Sequence, residues 1–159
     1  MSEAPHDTDR THIVAHVLAT TPPSFDRLLP ALLEIQRSVG FVPPQSIAAI
    51  ADHFNLSRAD VHGVVSFYDD LRTTPPGRHI VQICQAEACQ ALGCRELTTH
   101  AEQRLGIALG DGDANVTLVG GYCFGNCACG PTVRIGDTVH GRVTPHAFDV
   151  LIDALPQSE

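Results

Sequence analysis

Apolar residues recur along this chain at two different periods, and the change falls near residue 76. Upstream, Phe25, Leu28, Leu29, Leu32 and Ile35 sit at helical spacing and form one stripe, which predicts a helix from Ser24 to about Ser38. Ser24 is its expected cap, Asp26 lies in its first turn, and Gly40 ends it. Pro43-Pro44 open a second helix carrying Ile47, Ile50 and Phe54. Ser57 begins a third, with Asp60 as capping-box partner and Val61, Val64, Val65, Tyr68 and Leu71 as its apolar positions. Residues 1–23, ending in Thr21-Pro22-Pro23, read as loosely ordered. The first 75 or so residues thus predict three or four short helices that bury little alone and need something to pack on.

Thr73-Thr74-Pro75-Pro76-Gly77 is a clear break. Beyond it His79 to Cys84 reads as a strand, rich in the β-branched residues Ile80, Val81 and Ile83. A helix is expected from about Glu87 to Leu105, and a second strand from Asn115 to Val119. Residues 120–127 form a glycine-rich loop, and 132–135 with 138–140 form a hairpin around Gly136-Asp137. Thr144-Pro145 supplies a cap and a first helical position, and Phe148, Leu151, Ile152 and Leu155 give the last helix its apolar face. The expected fold is α+β: an N-terminal helical bundle over residues 1–76, then residues 77–159 as a small mixed sheet covered by helices.

Composition narrows the function. With 43% hydrophobic residues the chain can build a real core, and a charged fraction of 18% does not read as disorder. A formal net charge of −8 repels phosphate backbones and argues against nucleic-acid binding. No apolar run approaches the roughly 20 residues that span a bilayer. Met1 to Thr11 is polar and lacks the apolar stretch of a secretory signal, so a cytoplasmic location is expected.

All six cysteines, Cys84, Cys89, Cys94, Cys123, Cys127 and Cys129, lie in the second half. A reducing cytosol disfavours disulfides, and clustered thiols there more often bind metal or do redox chemistry. Cys84-x4-Cys89 follows the first predicted strand and Cys123-x3-Cys127 the second, so two loops can converge with four thiolates. Such ligands suit iron–sulfur clusters and zinc alike, and spacing alone does not choose between them. Gly120, Gly121, Gly125 and Gly130 lean toward a cluster, because they let backbone N–H groups approach its sulfurs. The helix expected near Cys89 turns its positive end the same way.

Cys94 and Cys129 are surplus; Cys94 reads as a packed thiol on the helix, and Cys129 competes with Cys127 as a ligand. A Rieske centre needs two histidine ligands beside cysteines, and the nine histidines do not cluster with them; His140 and His146 come nearest and read as solvent-facing or turn residues. The plant-ferredoxin spacing fails because four residues separate Cys89 from Cys94. Dinucleotide, P-loop, zinc-protease and serine-hydrolase motifs are all missing, so the chain offers no substrate site of its own. A cluster without a substrate site is a wire, and a wire needs neighbours.

At these residues the chain resembles the 24-kDa subunit family of respiratory complex I. That family includes the gamma subunit of NAD-dependent, molybdenum-containing formate dehydrogenases and the matching subunit of NAD-linked hydrogenases. The likeness is carried by Cys84-Gln-Ala-Glu-Ala-Cys89 and Cys123-Phe-Gly-Asn-Cys127, by Leu28 to Gly40-Phe41-Val42-Pro43, and by residues 61–68. It runs from about Phe25 to Leu155.

The resemblance implies a thioredoxin-like α/β domain holding one [2Fe–2S] cluster on Cys84, Cys89, Cys123 and Cys127. It also implies a non-catalytic electron-transfer role beside a partner subunit that binds FMN and NAD. The run from Cys84 to Gly93, Cys-Gln-Ala-Glu-Ala-Cys-Gln-Ala-Leu-Gly, looks most like the formate dehydrogenase branch, whose alpha subunit carries the molybdenum cofactor. The alternatives are the equivalent subunit of complex I or an NAD-linked hydrogenase, a free-standing thioredoxin-like ferredoxin, and a zinc-stabilised interaction module. Cys94 and Cys129 are the departures from the four-cysteine pattern.

Overall fold

A computed structural model describes residues 7–156. The chain divides into two compact units, Met1–Pro75 and Pro76–Glu159.

The first unit is helical. Helix α1 spans Asp7–Thr20, where the sequence reading expected loose chain. Its apolar residues are few and set among histidines and threonines, which hides the stripe. Yet Val14, Val17 and Leu18, at i, i+3 and i+4, are buried. They supply the cover that the other helices lacked, so this unit has its own core rather than needing an outside surface.

Helix α2, Leu28–Val39, buries Leu28, Ala31, Leu32, Ile35 and Val39 and ends on Gly40 at φ 95°. A 3₁₀ turn, Phe25–Arg27, precedes it. Ser24 turns its hydroxyl to the Asp26 carboxylate instead of capping the backbone, and Phe25 leaves the expected stripe and stands 68% exposed. Helix α3, Ile47–Phe54, follows a 3₁₀ turn at Pro44–Ser46 and buries Ile50, Ala51 and Phe54. Helix α4, Arg58–Phe67, starts with the expected capping box. Asp60 N–H donates to Ser57 Oγ at 3.1 Å, and Ser57 N–H donates to Asp60 Oδ2 at 3.0 Å.

The second unit is a four-stranded mixed sheet with helices. Strands β1 (His79–Cys84), β2 (Val116–Gly121), β3 (Val133–Ile135) and β4 (Thr138–His140) run in the order β2-β1-β3-β4. β1 pairs parallel with β2 and antiparallel with β3, and β3 pairs antiparallel with β4. The β1–β2 register sets Cys84 beside Gly121. Gly136, at φ 57°, opens the two-residue turn of the β3–β4 hairpin, where glycine is favoured.

The single helix expected over 87–105 is two helices, α5 (Glu87–Ala91) and α6 (Cys94–Leu105). They part at Gly93, whose φ of 93° lies in the left-handed region and cannot continue a helix. Helix α7, Pro145–Asp153, opens as expected, with Thr144 Oγ1 accepting from Ala147 N–H at 3.2 Å. Val81, Ile83, Leu97, Leu118, Val133 and Phe148 form the heart of this unit's core. No helix among the described residues is long and apolar enough to cross a membrane.

Leu32 is fully buried in the helical unit. Leu32→Ala is expected to destabilise that unit by about 2–5 kcal/mol. The check is the urea midpoint followed by far-ultraviolet circular dichroism; a midpoint equal to the parent's would contradict a packed core there.

Candidate metal centre

β1 and β2 run parallel and end together, so the segments leaving them start side by side. Cys84 is the last residue of β1, and Cys89 is the third residue of α5. Cys123 comes two residues after β2 and takes φ 60°, a left-handed conformation that few residues other than glycine adopt. Cys127 opens the 3₁₀ turn Cys127–Cys129. The four predicted thiols are therefore carried by two neighbouring segments, as the spacing anticipated.

They form two unlike pairs. Cys84 and Cys89 are buried, each 2% exposed, whereas Cys123 and Cys127 are exposed. Cys123 Sγ and Cys127 Sγ stand 3.7 Å apart. Two thiolates on one tetrahedral metal ion, each bonded at about 2.3 Å, stand about 3.8 Å apart. Among the described residues no three Cys, His, Asp or Glu side chains gather closely enough to hold a single ion.

Electrostatics separate the thiols further. Burial pushes the Cys84 thiol up, but the Ala86 N–H, the Cys89 thiol and the N–H groups of Cys123 and Phe124 outweigh it and bring the group below its ordinary value. Burial and the neighbouring Cys84 push Cys89 up, with Thr132 acting against them. The hydrogen bond to Cys123, and then the charge of Cys123, push Cys127 up. Burial and then Cys84 raise Cys94 as well.

Thr132 is a residue that spacing did not reveal. It is buried, and its hydroxyl and backbone N–H both favour the Cys89 thiolate. Buried donors beside a sulfur fit a site built for an anionic, metal-bound thiolate. No sequence signal marks it beyond its place just after Gly130-Pro131.

The N–H groups that face Cys84 belong to Ala86, Cys123 and Phe124. Gly121 and Gly130 do allow close approach: a Cβ on Gly121 would lie 2.5 Å from the Phe124 ring, and one on Gly130 would lie 2.9 Å from Leu92 and 3.3 Å from Cys89 Sγ. Helix α5 does start at Glu87, as expected, but has only five residues.

Cys94 is fully buried at the start of α6, packed with Cys84 and Cys89. Cys129 is half-buried. His146 is exposed and His140 is half-buried in β4.

Residues 14–156 match the family of thioredoxin-like [2Fe–2S] ferredoxins. This chain belongs to that family. The ferredoxin's cofactor is accordingly a [2Fe–2S] cluster, and the paired thiols, the N–H groups facing Cys84 and the Thr132 donors beside Cys89 fit one.

Among curated relatives, one subunit of the NADH-quinone oxidoreductase of Pseudomonas aeruginosa is 35% identical over 126 residues, covering 78% of this chain and 76% of that one. Its counterpart in Escherichia coli K12 is 34% identical, covering 77% and 75%. Among solved structures, the NAD⁺-reducing [NiFe]-hydrogenase in its air-oxidised state superposes with a TM-score of 0.66 at 22% identity. That match covers 94% of this ferredoxin but only 24% of the hydrogenase chain, and it speaks for the fold alone.

In the metal-free ferredoxin Cys84 is expected to lose its proton at lower pH than Cys89. The Cβ chemical shifts of Cys84 and Cys89, followed against pH by NMR in the unaltered metal-free chain, read each thiol separately and check the order. If the Cys89 thiol ionised first, the inward N–H groups would not be favouring Cys84.

Proposed function

We propose that Cys84, Cys89, Cys123 and Cys127 hold the [2Fe–2S] cluster, and that this chain exchanges single electrons with an FMN on a partner flavoprotein of an NAD-linked oxidoreductase. One observation carries the reading: two thiol pairs leave adjacent parallel strands at the same end.

The bound cluster supplies a one-electron donor and acceptor. The burial of Cys84 and Cys89 keeps water from one side of it. The N–H groups of Ala86, Cys123 and Phe124 stabilise negative charge on the Cys84 sulfur, and Thr132 does so for Cys89. Cys123 and Cys127 leave the other side open to a neighbour. On the helical unit, Phe25 and Phe67, 68% and 77% exposed, flank an apolar groove of about 640 Å³, which supports attachment to another chain.

In its finer form the complex is an NAD-dependent formate dehydrogenase. A molybdenum-containing alpha subunit oxidises formate, and an FMN- and NAD-binding beta subunit passes hydride to NAD⁺. The likeness of residues 84–93 to the formate dehydrogenase branch supports it. A second reading is the same electron-transfer role in a complex of the NADH-quinone oxidoreductase type, which the relatives favour, or in one of the NAD-linked hydrogenase type.

Anaerobic purification with whatever chains accompany it, followed by EPR after adding formate, hydrogen or NADH separately, decides among these. Formate-dependent reduction with molybdenum in the complex supports the first reading. Reduction by hydrogen, or by NADH alone, supports the second, and a colourless zinc protein overturns both.

Serine at any of positions 84, 89, 123 or 127 is expected to lose or alter the cluster's iron, sulfide and colour, while Cys94→Ser and Cys129→Ser keep them. Loss in Cys129→Ser with retention in Cys127→Ser would move the fourth ligand to Cys129.

A further inference from the structure

Arg134 lies on β3, outside the thiol set, yet one aromatic ring links it to that set. Its Nε donates to Gln82 Oε1 at 2.6 Å, and Gln82 is its register partner on β1. Gln82 is 8% exposed, so the guanidinium is anchored to a buried side chain of the central strand. The guanidinium carbon stands 5.0 Å from the centre of the Phe124 ring, within cation–π range.

Phe124 is held from three sides. Arg134 stacks on it, the bare Cα of Gly121 leaves room for its ring, and it packs against the buried thiols Cys84, Cys89 and Cys94. Its own N–H and that of Cys123 face the Cys84 sulfur. A group that fixes the ring therefore fixes these two donors. A cross-strand arginine could instead merely tie β3 to β1, and the two roles differ in what they predict.

We infer that Arg134 is a positioning residue for the cluster: clamped by Gln82, it presses Phe124 over the Cys84 side and holds two backbone donors and a positive charge there, making the bound cluster easier to reduce. The inference rests on Cys84 being a ligand. Both contributions have the same sign, because inward N–H groups and nearby positive charge favour the more negative, reduced form. Lysine keeps the charge but lacks the planar fork that can stack on a ring and meet Gln82 together.

The test uses the cluster-loaded protein with Arg134→Gln, Arg134→Lys and Phe124→Leu. Reduction potential is one readout, and amide hydrogen exchange of Cys123 and Phe124 in the metal-free protein is the other. Arg134→Gln is expected to shift the reduction equilibrium about tenfold toward the oxidised form, about 59 mV for one electron. It is also expected to speed both amides at least about tenfold. Arg134→Lys should recover part of the potential but not the slow exchange. On a Phe124→Leu background, Arg134→Gln should shift the potential less than on the parent.

An unchanged potential in Arg134→Gln, full recovery of both readouts by lysine, or an equal shift with and without the ring would overturn the inference. A parent protein that takes up no cluster would instead sink the ligand assignment. The exchange rates of the metal-free protein would still decide whether Arg134 holds the loop.

Discussion

The parallel pairing of β1 with β2 is the constraint on which the rest of the centre depends. Parallel neighbours end on the same side of a sheet, so the segments that follow them are forced together. Here the register sets Cys84 opposite Gly121. Every later feature of the site, including the turn at Cys123, the Phe124 ring over Gly121 and the donors that face Cys84, follows from that alignment. A slip by one residue would turn every side chain of the slipped strand to the opposite face and part the thiols.

Within that frame the chemistry is uneven by construction. One thiol pair is buried among apolar atoms and served by backbone N–H groups, and the other stands in solvent. Desolvation alone would hold Cys84 in its neutral form; the donors reverse that and not merely soften it. Cys89 stays raised, because burial and the neighbouring Cys84 outweigh the two Thr132 donors. Metal binding needs deprotonated thiols, so a site of this kind gives up protons as it fills.

Much of this was legible in the chain. Strong periodicity and terminal signals marked α2, α4, α7 and β1, because Ser57 with Asp60 and Thr144 with Pro145 act locally. The cysteine spacing placed the four thiols on two segments. What escaped depends on tertiary packing. Helix α1 carries only a few apolar residues among polar ones, and their burial shows only once a core surrounds them. The break at Gly93 was hidden inside a helix-like run, and a single glycine there is compatible with an uninterrupted helix. Thr132, Phe124 and Arg134 meet the thiols across strands, and no spacing rule connects them.

The division into two units also governs how the molecule comes apart. Each unit draws its buried residues from its own stretch of chain. A mutation in one core is then felt first by the unit that owns it. Helical content reports mostly on the first unit, whereas colour and thiol protection report on the second. Following both signals through one melt reads the two cores separately.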